Sequence, residues 1–96
     1  MNPLTPKRLL ICLHIRAGRT SIRDLNRALG NKPGNGIIWW QLERLRRCGL
    51  VTWQPGQART LRLTECGWTA LTGYHLLADG RIWQQIEEPE AVVKDG

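Results

Sequence analysis

The sequence predicts a single α+β domain in which three amphipathic helices are followed by a β-hairpin and a fourth helix. In the first half of the chain, apolar residues recur at spacings of three and four, as on one face of a helix. In the second half, two short stretches suited to strands flank a turn at Pro55 and Gly56. The 96 residues, of which 42% are hydrophobic, suffice for one small core.

The first two helices are bounded by local signals. Residues 7–17 are predicted as helical because Thr5 can cap them, Pro6 suits the first position, and Gly18 ends the pattern. The inner face of this helix consists of Leu9, Leu10, Cys12 and Leu13. The second helix begins at Ser21, where the sequence to Asp24 matches a capping box. Its apolar stripe consists of Ile22, Leu25, Ala28 and Leu29, and a turn follows from Gly30 to Gly36.

The third helix, predicted over residues 35–48, combines an apolar face with a charged one. Asn35 is suited to cap it, and Gly49 is suited to close it in a left-handed conformation. The apolar stripe consists of Ile38, Leu42 and Leu45, and the opposite face carries Glu43, Arg44, Arg46 and Arg47. We therefore expect the stripe to face the core and the arginines to face outward.

A hairpin is predicted directly after the third helix. Its strands are expected at about residues 50–54 and 59–63, with Leu61 and Leu63 sharing one face. The tip, residues 54–59, is called the wing below. A fourth helix, capped by Thr64, is expected to include Trp68, Leu71 and Leu76, with Trp68 in the core of a chain that lacks Phe.

The last part of the chain is expected to form an extension. Asp79 and Gly80 predict a turn, and residues 81–87 suit either a short helix or a strand. The domain is therefore expected to span residues 1–77, followed by an extension over 78–96. This extension ends in an acidic stretch expected to fray.

The net charge favours an anionic partner. The chain has 14 Lys and Arg against 8 Asp and Glu, which gives +6 at neutral pH. Four of the eight acids fall in residues 87–96, so the rest of the chain is more basic still. A basic surface attracts a polyanion and gains free energy by releasing counterions from phosphates, although it can also serve solubility alone.

A basic helix followed at once by a hairpin is the arrangement of a winged helix-turn-helix, and the residues resemble known members. The segments 21–25 and 28–30 resemble the start of the helix-turn-helix in the DNA-binding domain of the LexA repressor. Residues 42–51 and 55–63 resemble the end of its recognition helix and its wing. The segment 63–67, Leu-Thr-Glu-Cys-Gly, is similar to a run in MarR-type regulators. The resemblance covers roughly residues 7–72 and implies a transcriptional regulator, such as a repressor, that binds double-stranded DNA.

Three departures qualify this resemblance. The turn before the third helix is about one residue longer, and the chain contains no Ser-Lys protease segment, so self-cleavage is not implied. In addition, Trp39 and Trp40 stand where polar residues that contact bases are expected.

The third helix and its surroundings supply the candidate DNA-binding residues. Asn35, Gln41 and Arg44 have the chemistry to contact base edges. Trp39 and Trp40 can contact thymine methyls or sugars, unless one of them packs into the core against the first helix. Phosphate contacts are expected from Arg46, Arg47, Arg23 and Lys32, and contacts of the wing from Arg59 and Arg62. Each of these charges can alternatively be a solvated surface charge.

A protein-interaction module is the alternative function. Trp is enriched where binding energy concentrates, so Trp39 and Trp40 can instead anchor a protein partner of a phage-type or accessory factor. A replication or plasmid-partition factor would share the DNA chemistry and differ only in its site. Since operators are commonly palindromic, a homodimer is expected, with residues 81–87 and Trp83 as the candidate dimer element.

Other classes of function find little support in the sequence. The three cysteines and two histidines lack metal-ligand spacing, and no GxxxxGK phosphate loop is present. We therefore expect no metal, no cofactor, no enzymatic activity and no effector pocket. The absence of a long apolar run predicts a cytoplasmic protein without membrane contact.

Overall fold

The computed structural model describes residues 4–30 and 37–85. These segments contain four helices: α1 (Pro6–Arg16), α2 (Ile22–Leu29), α3 (Ile37–Arg47) and α4 (Glu65–Ala70). They also contain two antiparallel two-stranded sheets: β1 (Val51–Thr52) with β2 (Arg62–Leu63), and β3 (Tyr74–Leu76) with β4 (Ile82–Gln84). The α+β class predicted from the sequence is therefore confirmed. None of the described helices has both the length and the apolar character needed to cross a bilayer.

The first two helices begin and end at the predicted caps. Thr5 Oγ1 accepts a hydrogen bond from the backbone amide of Arg8 in the first turn of α1. Ser21 Oγ accepts from an amide of the first turn of α2, and Gly30 ends that helix in the left-handed region at φ 73°. Asn35, the predicted cap of α3, lies outside the described residues. Local chemistry thus sets the limits of both helices.

Helix α1 runs through the middle of the hydrophobic core. Ile11, Cys12 and Leu13 are almost completely buried, and Leu9 and Ile15 are buried as well. The helix packs against α2, α3, β2 and β3. A helix surrounded by other elements must be apolar on more than one side, and this explains its continuous run of buried residues.

The apolar stripe of α3 faces inward, as predicted. Ile38, Leu42 and Leu45 are all buried, and α3 packs against α1 and α2. Gly49 follows the helix at φ 78°, and the amide of Leu50 donates to the carbonyl of Leu45. The left-handed glycine turns the chain directly into β1, so the opposite face of α3 remains at the surface.

The β1–β2 hairpin is shorter than predicted because a side chain replaces part of its backbone pairing. Val51 lies opposite Leu63 in the two-residue ladder. Beyond it, Thr60 Oγ1 accepts from the amide of Gln54 at 2.9 Å and lies 3.0 Å from the carbonyl oxygen of Gln57, to which it donates. The hydroxyl therefore closes the base of the tip where further strand residues were expected.

The hairpin is also tied to the connection between α1 and α2. The backbone amide of Leu61 donates to the carbonyl of Thr20 at 3.0 Å. Leu61 and Leu63 are buried, as predicted for one face of the strand, whereas Arg62 between them is exposed. The hairpin thus packs its apolar face on the helices and presents its charged face to solvent.

Helix α4 begins at the predicted cap but turns its tryptophan outward. Thr64 Oγ1 accepts from the amide of Gly67 at 3.0 Å. The carbonyl oxygen of Leu50 approaches Gly67 so closely that a Cβ at this position would collide with it. Since Gly67 occupies the inward position, Trp68 lies about 100° further around the helix and is 54% exposed. The prediction that Trp68 belongs to the core was wrong.

The prediction that α4 continues to Leu76 was also wrong. Gly73 adopts φ 86°, which ends helical geometry, and Leu76 belongs to β3. The guanidinium of Arg16 donates to the carbonyl oxygens of Leu71 at 3.3 Å and of Tyr74 at 2.7 Å. The arginine from α1 thereby satisfies carbonyls at the end of the helix and holds the start of the next strand against the core.

A second hairpin follows α4. Of the two alternatives for residues 81–87, the strand is observed over 82–84, where Ile82 lies opposite Leu76. The predicted turn is present, with Gly80 at φ 87°. The boundary expected after residue 77 falls in the connection between these paired strands.

Candidate functional site

The outward face of α3 presents one aromatic and two cationic side chains. Trp40 is 73% exposed, and Arg44 and Arg47 are exposed as well. Their spacings of four and three residues place them on the side opposite the buried stripe. Together with Arg8, Gln41 and Glu43 they line a groove of about 270 Å³. An indole beside several guanidinium groups can contact both apolar and anionic parts of a partner.

Arg46 lies on a different flank of α3, toward the β1–β2 hairpin. Its Nε and Nη2 atoms donate to the two carboxylate oxygens of Glu43 at 3.1 and 2.8 Å. Its guanidinium carbon lies 5.1 Å from the centroid of the Trp53 ring. The hydrogen bond with Arg46 lowers the pKa of Glu43, and the same bond raises the pKa of Arg46. The residue predicted to contact phosphate is therefore already paired within the chain.

Neither tryptophan at the start of α3 enters the core. Trp39 is 44% exposed. Its ring packs edge to face against that of Trp53, which directly follows β1; the ring centroids lie 5.7 Å apart and the ring planes meet at 60°. The inward positions of α3 are filled by its aliphatic stripe, so the alternative in which one indole packs against α1 is not observed. Trp39 instead connects the helix to the hairpin.

Gln41 faces α1 rather than the centre of the exposed surface. Its side-chain carbonyl oxygen accepts from Nε of Arg8 at 2.7 Å, and both residues are half-buried. Gln41 was predicted to contact a base. Its acceptor oxygen is engaged between the two helices, so Arg44 is the exposed member of the predicted base-contacting residues in the described part of α3.

The hairpin tip approaches the first turn of α2. Arg59 adopts φ 64°, an unusual conformation for a residue other than glycine, and its Nη1 lies 3.8 Å from a carboxylate oxygen of Asp24. Arg23, the neighbour of Asp24, is exposed. The other hairpin residue predicted to contact DNA, Arg62, is exposed on β2.

Three elements meet around one cavity of about 290 Å³. Arg23 from α2, Trp39 from α3 and Arg59 from the hairpin all contribute to its lining. The sequence predicted these residues as contacts of a common ligand, and the structure brings the three together. The sequence did not predict the cavity, because the cavity depends on how the hairpin tip packs beside α2 and α3. Asn35 and Lys32 lie outside the described residues.

Several arginines near α3 and the hairpin form no ion pair with an acidic residue of the described segments. The described segments contain four carboxylates, namely Asp24, Glu43, Glu65 and Asp79. Asp24 lies within ion-pair distance of Arg59, Glu43 of Arg46, and Asp79 of Arg81. Within residues 4–30 and 37–85, no ion pair involves Arg23, Arg44, Arg47 or Arg62. The positive charges of these four arginines are therefore not cancelled by an ion pair and can attract an anionic partner.

The cysteine and histidine side chains differ in burial and in pKa. Burial raises the pKa of the Cys12 thiol to about 12, whereas Cys48 and Cys66 are exposed. Burial, together with the charge of Arg19, lowers the pKa of His14, while the ring of His75 lies 5.2 Å from that of Trp83. Among the described residues, no group of three His, Cys, Asp or Glu side chains could hold a metal ion.

Comparison with known proteins adds no assignment. The chain matches no protein-family model, no curated protein and no solved structure.

Proposed function

We propose that this chain is a winged helix-turn-helix protein that binds double-stranded DNA and regulates transcription. In this proposal α3 enters the major groove, and the wing lies on the backbone or in the minor groove. The observation that carries the proposal is that α2, α3 and the hairpin all present exposed arginines, and that Arg23 of α2 and Arg59 of the hairpin line one cavity with Trp39 of α3. Cations carried by several elements that adjoin one helix suit the phosphates on both sides of a groove.

The order and attachment of the elements support the winged architecture. Helix α3 comes after α2 in the chain, and the β1–β2 hairpin follows α3 directly. The hydrogen bond from Leu61 to Thr20 fixes the hairpin beside the connection between α1 and α2. This hydrogen bond attaches the base of the wing to the helices, as a backbone contact on one side of the groove requires.

The proposed contacts follow from exposure. Arg44 is suited to a guanine edge in the major groove, and Trp40 to thymine methyl groups. Arg47 and Arg23 are suited to phosphates, and Arg62 to the backbone beside the wing. Sequence preference therefore depends on few side chains, while most of the affinity comes from phosphates.

The proposal is tested by selecting bound oligonucleotides from a random duplex pool and measuring affinity over a salt series. Replacing Arg23 and Arg47 by Ala should reduce the salt slope by about 0.9 for each phosphate that is no longer neutralised, whereas Arg44→Ala should relax the preference for the selected site. Arg81→Ala is the charge control, because Arg81 is exposed away from the proposed DNA contacts and pairs with Asp79; the molar mass of this variant is measured alongside, since Arg81 adjoins the proposed dimer contact. Absence of salt-sensitive duplex binding, or equal reductions in all variants, would overturn the proposal.

A protein-binding module is the second candidate, and the exposure of Trp40 favours it. A largely exposed indole near the start of an exposed helix face resembles the aromatic anchors of protein interfaces. Titration with mixed-sequence duplex while tryptophan fluorescence is followed distinguishes the two. No response to DNA, together with stable co-elution with a protein that Trp40→Ala abolishes, would favour this second function.

We further propose that the second hairpin forms a homodimer contact. Trp83 is exposed on β4, and its ring lies beside that of His75 across the strands. Two such hairpins could bury these rings against each other, and a dimer would read two half-sites. The molar mass in solution should correspond to a dimer, and Trp83→Ser should lower it to that of a monomer.

A further inference from the structure

The cavity between α2, α3 and the hairpin has mainly apolar walls. Its volume is about 290 Å³. Carbon-rich side chains from all three elements form most of its surface, namely Ile22, Trp39, Leu42, Trp53, Ala58 and Leu61. Leu42 and Leu61 belong to the core, so the cavity extends from the surface down to buried side chains. Such a site shields part of an apolar ligand from water.

The size and the ring geometry favour an aromatic ligand. The volume lies near the lower end of the range of about 300–1,000 Å³ that is usual for small-molecule sites. A fused bicyclic ring, comparable to an indole, suits this space. Trp39 and Trp53 meet at 60°, so a third ring can lie against the face of one and the edge of the other.

The lining also supplies positive charge at the exposed end. Arg23 and Arg59 both line the cavity and are both exposed, which places them at its mouth. No carboxylate belongs to the described lining. The oxygen of Asp24 nearest to Arg59 is 3.8 Å away, which is beyond hydrogen-bonding distance. Guanidinium groups bind carboxylates through paired, charge-assisted hydrogen bonds.

We infer that this cavity binds a small aromatic carboxylate, with its ring packed against both Trp39 and Trp53 and its carboxylate facing Arg23 and Arg59. This site goes beyond the proposed DNA binding and does not depend on it. The ligand needs an apolar ring and an anionic group on opposite sides, because the walls of the cavity are apolar and its mouth is cationic.

The experiment is a titration of the full chain, without DNA, with 2-naphthoate as the probe. Two-dimensional amide NMR resolves the indole N–H signals of the tryptophans. The signals of Trp39 and Trp53 should shift in a saturable manner, whereas that of Trp83 on the second hairpin should stay in place. No saturable shift, or equal shifts of all tryptophans, would overturn the site.

Matched ligands and variants test each part of the inference. The neutral analogue 2-naphthalenemethanol should bind at least about tenfold more weakly, because it lacks the charge-assisted hydrogen bonds. Arg23→Gln with Arg59→Asn should weaken naphthoate binding to a similar degree, and Asn tolerates the left-handed backbone at that position. Arg62→Gln is the control, since Arg62 is exposed on the same hairpin but does not line the cavity.

A variant that fills the cavity provides a test independent of charge. Ala58 is exposed at the hairpin tip, so Ala58→Phe should leave the amide spectrum of the core unchanged while placing a ring into the space. Disappearance of the naphthoate-induced shifts supports the site. Retention of these shifts in a variant that contains the additional ring would place the probe elsewhere and overturn the inference.

Discussion

Replacing Glu43 by Gln should strengthen the binding of duplex DNA. In the native chain, both oxygens of Glu43 accept hydrogen bonds from Arg46, so the charges of the two groups cancel on the surface of α3. The neutral amide of Gln removes this pairing and one negative charge from the proposed interface. The helix therefore gains one effective positive charge without any change in its length or its buried stripe.

The size of the effect follows from counterion release. One additional phosphate neutralised makes the slope of log K against log salt steeper by about 0.9, and between about 50 and 200 mM salt each neutralised phosphate changes the affinity about threefold. This is an upper limit for Glu43→Gln. The guanidinium of Arg46 lies 5.1 Å from the Trp53 centroid and is expected to remain partly stacked on that ring after its release from Glu43.

Fluorescence anisotropy of a labelled duplex over a salt series measures both quantities. Glu65→Gln is the matched control, because Glu65 is an exposed carboxylate in the first turn of α4 and forms no ion pair within the described residues. Both variants change the net charge equally. Only the substitution in α3 should therefore steepen the slope beyond the general effect of net charge.

Two outcomes would refute this reasoning. Equal effects of the two variants would mean that α3 has no special position toward the duplex. Loss of preference for the selected site in Glu43→Gln, with non-specific affinity retained, would show that Glu43 itself accepts from a base, as carboxylates do from cytosine N4. In that case Arg46 would orient a base-contacting group instead of cancelling its charge.

Three further predictions concern the fold. Gly67→Ala should lower the free energy of unfolding in urea by about 1–3 kcal/mol, since its Cβ would collide with the backbone carbonyl of Leu50. The pKa of His14 in the folded chain lies below its ordinary value of 6.5. As the pH falls, His14 is therefore protonated in the unfolded chain before it is protonated in the folded one. The free energy of unfolding should be constant at higher pH and should decrease as the pH drops through about 6.5. Burial raises the pKa of Cys12 to about 12, so this thiol should resist maleimide in the native protein.

Each of these predictions has an internal control. Thr69→Ala alters an exposed position of the same short helix and should change stability little by comparison. His14→Phe should remove the pH-dependent loss of stability between about pH 7 and pH 5, and a persistent loss would assign it to another group. Mass spectrometry should find the label on Cys48 and Cys66, and equally rapid labelling of all three thiols would contradict the observed burial.

Those parts of the fold that depend on local signals could be predicted from the sequence. The caps at Thr5, Ser21 and Thr64 are all occupied as expected, because a hydroxyl needs only an amide a few residues away. The inward face of α3 follows in the same way from periodicity. In both cases the information lies within a single helix or its flanking residues.

The errors arose where distant residues approach each other. Trp68 was expected in the core because it is large and apolar, but the approach of the Leu50 carbonyl reserves the inward position of α4 for Gly67. For Gln41, which was predicted to contact a base edge, the hydrogen bond from Arg8 of another helix could not be predicted either. Neither interaction leaves a trace in the spacing of the sequence.

The candidate interface shows the same division between local and distant information. The pair of Glu43 and Arg46 has the three-residue spacing of a helical ion pair and is accessible to sequence reasoning. The position of the Trp53 ring against the Arg46 guanidinium cannot be predicted in this way, because it depends on how the hairpin packs against α3. From the sequence alone, every arginine of α3 contributes the same positive charge to binding. In the structure, these arginines differ in whether an acidic residue pairs with them. Arg44 and Arg47 remain outside any ion pair of the described residues, so the affinity for a polyanion should depend on them more than on Arg46.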